Sequence, residues 1–240
     1  MKSLKNWFLV LSVLSCFGCS SPVHEDGRGC AFVSDSIQYR VEFMSEGCVR
    51  ILSFPEGDTL VTKRLVVDSQ KPAFKDYKWK DTGQQLIFST RELSVAFDKE
   101  DAAFTFQEVS TGKLLLKEKE AKKARHFKRS VTGGEQCLEV TQRFVPTDDE
   151  AIYGLGQYQN GIMNYRGKSV LLLQANMDIV NPFLISTNGY GILWDNYSST
   201  KFEDTKEGYS FTSEVGDASD YYFVYGKNMD EVVAGYRELT

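Results

Sequence analysis

Side chains capable of acid–base or nucleophilic work are unevenly spread along these 240 residues. There are 2 histidines: His24 sits in a polar stretch near the start, and His126 lies inside a run of mixed charge. A serine triad needs an imidazole held beside its nucleophile, and neither histidine stands in such a setting. Zinc would need clustered His or Cys ligands, and no spacing here supplies them, so no metal and no cofactor is expected. Gly154-Leu-Gly156 is no dinucleotide fingerprint, because the third glycine position falls at Gln159 and no helical pattern follows. Carboxylate chemistry remains. A retaining glycosidase sets two acids about 5–5.5 Å apart, one as nucleophile and one as acid/base. The chain has 33 aspartates and glutamates, too many for their number to single out a pair, and no catalytic residue is assigned.

Residues 150–197 hold the densest mixture of glycine, aromatic rings and planar amides. They include Glu150-Ala-Ile-Tyr-Gly-Leu-Gly-Gln-Tyr-Gln-Asn-Gly161, Asn164-Tyr-Arg-Gly167, Gln174-Ala-Asn-Met-Asp178 and Asn188-Gly-Tyr-Gly-Ile-Leu-Trp-Asp-Asn196. Such a mixture suits a site that stacks on sugar rings and reads hydroxyls with amides. In the cluster Tyr158, Gln159, Asn160, Tyr165 and Arg166, a tyrosine could stack on a sugar and Arg166 could fork to a carboxylate or backbone. A structural role is the stronger reading for them, since tyrosines in sandwiches anchor turns through the hydroxyl. Trp194 follows Gly-Ile-Leu directly and reads as core.

The elements that must position these residues are strands. Ile37, Tyr39, Val41 and Phe43 alternate with polar neighbours, as do Leu93, Val95 and Phe97, then Phe104 and Phe106, and less regularly Leu138, Val140 and Phe144. Turns fall at Glu56-Gly57-Asp58, Thr82-Gly83, Thr111-Gly112 and Gly133-Gly134. Val170–Leu173, Phe183–Ser186, Gly191–Trp194 and Tyr221–Tyr225 are further strands, the first and last apolar enough to be covered on both faces. Many short strands with glycine turns predict an all-β antiparallel sandwich. The charged run 117–129 reads as a solvated hairpin or edge. Asn228 with Glu231 forms a capping box, and Val232, Val233, Tyr236 and Leu239 follow at helical spacing, predicting a C-terminal helix over 227–240.

Tyr153-Gly-Leu-Gly-Gln157, Pro182-Phe183, Gly189-Tyr-Gly191 and Tyr221-Tyr-Phe-Val-Tyr-Gly226 with its helix occur in an order that carries a resemblance. They resemble the N-terminal, galactose mutarotase-like β-sandwich of glycoside hydrolase family 31, closest to its α-xylosidase branch. The resemblance implies a domain over 30–226 that shapes a substrate site for retaining hydrolysis of α-linked xylosyl or glucosyl oligosaccharides. It implies a catalytic barrel beyond the helix, with the nucleophile in a Trp-x-Asp-Met/Phe-Asn-Glu-type strand. No such motif stands in these residues, and Trp194-Asp195-Asn196 lacks the glutamate, so the chain is expected to stop before the barrel. A sandwich loop of that family reaches the barrel mouth and helps form a sugar subsite. By position the loop is 174–178, which makes Asn176 the first candidate for sugar contact and Gln174 and Asp178 the next. The competing role for these three is to satisfy turn backbone. Two other functions stay in play: a stand-alone glycan-binding lipoprotein without catalysis, and a mutarotase-like epimerase, which the scarcity of histidine disfavours.

The first residues read as an export signal: Lys2 and Lys5, an apolar run Trp7–Leu14 too short to span a bilayer, then Cys16-Phe-Gly-Cys19. Gly18 before Cys19 is similar to a bacterial lipoprotein cleavage site. Cys19 is therefore expected to carry lipid after loss of residues 1–18, with 19–29 as a tether to the outer membrane, on its periplasmic face or the cell surface. Loss of Lys2 and Lys5 moves the formal charge from −5 to −7. Phosphate attraction needs a basic face, so nucleic acid is not an expected partner. Of the remaining Cys30, Cys48 and Cys137, only the first two are close enough in sequence for a local bridge, and three buried free thiols is the preferred reading.

Overall fold

The computed structural model describes residues 22–58, 60, 65–68, 72–120 and 125–240. Cys19 and the residues read as an export signal lie outside them. Alternation of apolar and polar residues builds two antiparallel sheets. One runs in the order β1 (His24–Glu25), β2 (Cys30–Ser34), β3 (Ile37–Phe43), β4 (Cys48–Pro55), β18 (Ser219–Tyr225), β15 (Tyr190–Trp194), β14 (Ile179–Ser186) and β12 (Ile152–Gln157). The other runs β13 (Ser169–Leu172), β16 (Thr200–Thr205), β17 (Gly208–Gly216), β11 (Glu135–Val145), β9 (Leu114–Glu118), β8 (Ala103–Glu108), β7 (Leu93–Asp98), β6 (Gln85–Ser89) and β5 (Lys78–Asp81), with β10 (Arg125–Thr132) paired to β11.

The inward faces meet through rings. Phe106 stacks on Phe223 with centroids 4.2 Å apart, Trp194 on Phe211 at 5.5 Å, and Phe32 meets Phe97 edge-on at 4.8 Å. Each of these pairs joins one sheet to the other, so the two form a sandwich. Helix α1 (Met229–Leu239) covers the outer face of the first sheet. Its Val232 and Leu239 pack with Phe183, Leu193, Tyr222 and Val224. Asn228 caps it, accepting from Glu231 N at 3.0 Å, while the Glu231 carboxylate accepts from Lys227 N at 3.0 Å. At the other end Asp68 N donates to Leu239 O at 3.2 Å, which satisfies one of the last carbonyls.

Three expectations change. First, the sandwich starts before residue 30: His24 pairs with Ala31 and Glu25 with Cys30, and Glu25 accepts from Tyr77 Oη at 3.0 Å and Trp79 Nε1 at 3.4 Å. Part of the stretch read as tether is thus an edge strand joining both sheets. Second, β13 is not covered on both faces. It is an edge whose Val170 and Leu172 turn inward while Leu171, and Leu173 just after the strand, are 51% and 48% exposed. Third, the charged run 117–129 is solvated only in part. Glu118 and Arg125 form an ion pair inside the sandwich, where Glu118 also accepts from Tyr221 Oη at 2.8 Å and Phe104 N at 2.9 Å. Cys30 and Cys48 are buried on opposite faces of the first sheet, and Cys137 is half-buried rather than buried.

Candidate functional site

The rim of interest lies where β12 and β14 pair and where β13 crosses to β14. Pairing is regular from Ile152 opposite Ser186 to Gly154 opposite Leu184, then resumes with Gly156 opposite Val180 and Gln157 opposite Ile179. Two steps on β12 therefore span four on β14. Pro182 lies in the skipped stretch and has no N–H for the ladder. β14 bulges to take up its two extra residues, and β12 passes beside it through three successive left-handed residues, Gly154, Leu155 and Gly156, with φ of 97°, 65° and 115°. A Cβ on Gly154 would stand 2.5 Å from Phe183 O, and one on Gly156 2.1 Å from Ile179 O, so the close approach requires glycine at both. Leu155 is buried, and the Tyr158 hydroxyl donates to Leu155 O at 3.0 Å. The Gly-Leu-Gly and Pro-Phe motifs, far apart in sequence, are two halves of one irregularity.

The 174–178 loop closes on itself. Gln174 uses both ends of its amide: Nε2 donates to Asp178 O at 2.8 Å and Oε1 accepts from Val180 N at 3.1 Å. Ala175 and Asp178 bridge, with Met177 in the left-handed region at φ 70°. Gln174 is thus occupied as a loop brace. Asn176 stands exposed at the tip, and Asp178 is half-buried. Burial chiefly, then Tyr165 and Asp178, push the Tyr158 hydroxyl up to about 12, so it stays a donor at neutral pH. Met177 and Ile179, 66% and 57% exposed, give the rim an apolar border.

Tyr165 and Arg166 of the aromatic–amide cluster are scaffolding. Tyr165 is buried, and Asn164 Oδ1 accepts from Ile152 N and Arg166 N, both at 3.1 Å. Arg166 Nε lies 3.0 Å from Asp204 Oδ2, and its Nη1 donates to Thr147 O at 3.2 Å and stands 3.7 Å from Glu150 Oε1. Glu150 also accepts from Tyr190 Oη at 2.8 Å and Ser186 Oγ at 3.1 Å, while burial raises its pKa. Two buried carboxylates do converge here with a guanidinium between them: both Glu150 oxygens and Asp204 Oδ2 meet internal donors, while the buried Asp204 Oδ1 has no hydrogen-bond partner. That wiring braces the 147–168 connection to the sandwich. Trp194 is wholly buried, its Nε1 donating to Ser213 Oγ at 2.9 Å, so it is core. His126 is exposed on β10, and no group of three His, Cys, Asp or Glu among the described residues could hold a metal.

A family profile described as the glycosyl hydrolase 31 N-terminal galactose mutarotase-like domain matches residues 38–203. An alpha-xylosidase of Saccharolobus solfataricus is 33% identical over 220 residues, which take in 85% of this chain and 28% of that relative. Among solved structures, a family 31 alpha-xylosidase from Xanthomonas citri superposes with a TM-score of 0.80 at 21% identity, covering 91% of this chain and 40% of that one. A Flavobacterium johnsoniae family 31 dextranase complexed with isomaltotriose superposes with a TM-score of 0.74 at 22% identity, over 93% of this chain and 28% of that one. The chain therefore spans less than half the length of these relatives. It belongs to the family of glycosyl hydrolase 31 N-terminal galactose mutarotase-like domains.

Proposed function

We propose that this sandwich shapes the substrate mouth of an α-glycoside hydrolase of α-xylosidase or α-glucosidase type, with the 174–178 loop supplying a sugar contact. Asn176 is the contact, Gln174 holds the loop in shape, and Asp178 accepts from a second hydroxyl. The observation that carries this reading is the division of labour within the loop. The Gln174 amide is consumed by backbone on both sides, whereas the Asn176 amide is left at an exposed tip. A planar amide so placed can bridge adjacent hydroxyls of a sugar ring.

Hydrolysis is assigned to the remainder of a longer enzyme. The Arg166 guanidinium lies between the buried Glu150 and Asp204 carboxylates, and positioning without nucleophile and acid yields binding only. The apolar border of Met177 and Ile179 is the side that the catalytic domain covers. Cys19 is proposed as the lipidated anchor to the outer membrane, which lies outside the described residues.

The test combines an assay with a titration. The purified protein releases no nitrophenol from an aryl α-xyloside, yet binds α-D-xylosyl-(1→6)-D-glucose at millimolar concentration, and Asn176→Ala weakens that binding. Nitrophenol release, or equal affinity in the Asn176→Ala protein, would refute the assignment.

A further inference from the structure

The irregular pairing of β12 and β14 has a measurable geometric result. Had the pairing of Gly154 with Leu184 continued unbroken, Gln157 would stand opposite Asn181; it stands opposite Ile179 instead. Two steps of β12 cannot span four extended ones, so β14 takes up the two extra residues as a bulge, and the end of β12 faces the root of the 174–178 loop. A two-residue shift preserves the side-chain face, and residues opposite each other in an antiparallel pair project to the same side. Gln157 is therefore an exposed neighbour of the exposed Ile179, one residue from Asp178. Left-handed backbone at a buried leucine is strained, and such conformations persist where the surroundings over-determine them. Here the strand pairs on either side and the Tyr158 hydroxyl do so.

We propose that this paired irregularity is a positioning device that delivers the Gln157 carboxamide to the loop rim, where it and Asn176 hold hydroxyls of the same α-linked sugar unit. The inference rests on the sugar-contact reading of the loop and adds a second specificity-determining amide to it. Two amides at one rim read two sets of hydroxyls, so a sugar unit lacking one hydroxyl leaves an amide unpaired and binds more weakly.

The protein is titrated with α-D-xylosyl-(1→6)-D-glucose while the side-chain NH2 signals of Gln157, Gln174 and Asn176 are followed by NMR. The Gln157 and Asn176 signals are expected to move together and saturate at one concentration, with Gln174 shifting less. Gln157→Ala is expected to weaken binding about fivefold, the worth of one net hydrogen bond. Gly156→Ala forces the irregularity open and should weaken binding although Gln157 is intact. If Gly156→Ala fails to fold, the exposed Gln157→Ala decides alone. Should Gln157→Ala bind as tightly as the parent while Asn176→Ala is weakened, this inference falls and the loop reading stands. Should the parent not bind, or both variants bind like it, both fall.

Discussion

Glu108 shows how single side chains tie the sandwich at its ends. Its carboxylate accepts from Thr111 Oγ1 at 2.6 Å, Ser110 Oγ at 2.7 Å and Tyr225 Oη at 2.8 Å, the last reaching from the opposite sheet. Those hydroxyls, in that order, pull its pKa down from 4.5 to about 2. A depressed folded pKa contributes stability that is complete above the unfolded value and fades as pH falls toward the folded one. Thermal melts between pH 5 and pH 2, two limits set about the unfolded and folded values, should therefore fall less steeply in Glu108→Gln than in the parent. Parallel curves would mean that the group does not report on folding. At this scale the sequence was partly legible. Trp194 as core follows from the apolar residues before it, and the Asn228 cap follows from its spacing to Glu231. The roles of Arg166 and Glu150 were open, because a guanidinium next to tyrosines can serve a ligand or a brace equally well until its partners are known.

The strands themselves were legible wherever alternation is strong, as in β3, β7 and β8, since a period of two has one physical solution when one face is buried. What local pattern does not carry is which strands become neighbours. Glu118 and Arg125 read as a solvated charged run because most neighbours in sequence are charged, and their burial follows from β9 and β10 both pairing with β11 opposite Tyr221 of β18. The pair satisfies backbone that no strand reaches: Glu118 takes Phe104 N, and Arg125 Nη1 donates to Ala102 O at 3.3 Å beside the left-handed Ala102. Removing one charge of a buried pair leaves the other uncompensated. Glu118→Gln is therefore expected to cost about 3 kcal/mol in urea unfolding, and a loss below about 1 kcal/mol would show the charge to be dispensable. The β12–β14 irregularity was equally hidden. The proline and the two glycines were visible as motifs, but a left-handed leucine has no local signal, and the two motifs meet only through pairing.

For the whole molecule, the distribution of apolar surface matters most. The sandwich interior is densely aromatic and the outer face of the first sheet is covered by α1, yet Leu171, Leu173, Met177 and Ile179 remain exposed around one rim. Apolar side chains gathered on a free surface promote association. Sedimentation velocity on Ile179→Thr with Met177→Lys should show less self-association than the parent at an unchanged melting temperature. If association persisted, the rim would not be the adhesive surface.

Glu25 has a mechanical corollary. Residues 22–29 hold to the body of the protein by two strand pairs, the Glu25 carboxylate, the Val23 side chain and an Asp26–Arg40 ion pair, arranged so that a pull from the N-terminal side opens them in succession rather than all at once. Tension would therefore peel residues 22–29 away at low force, paying out about 25 Å of extended chain while the rest stays folded. The edge then works as a reel whose slack is released only under load.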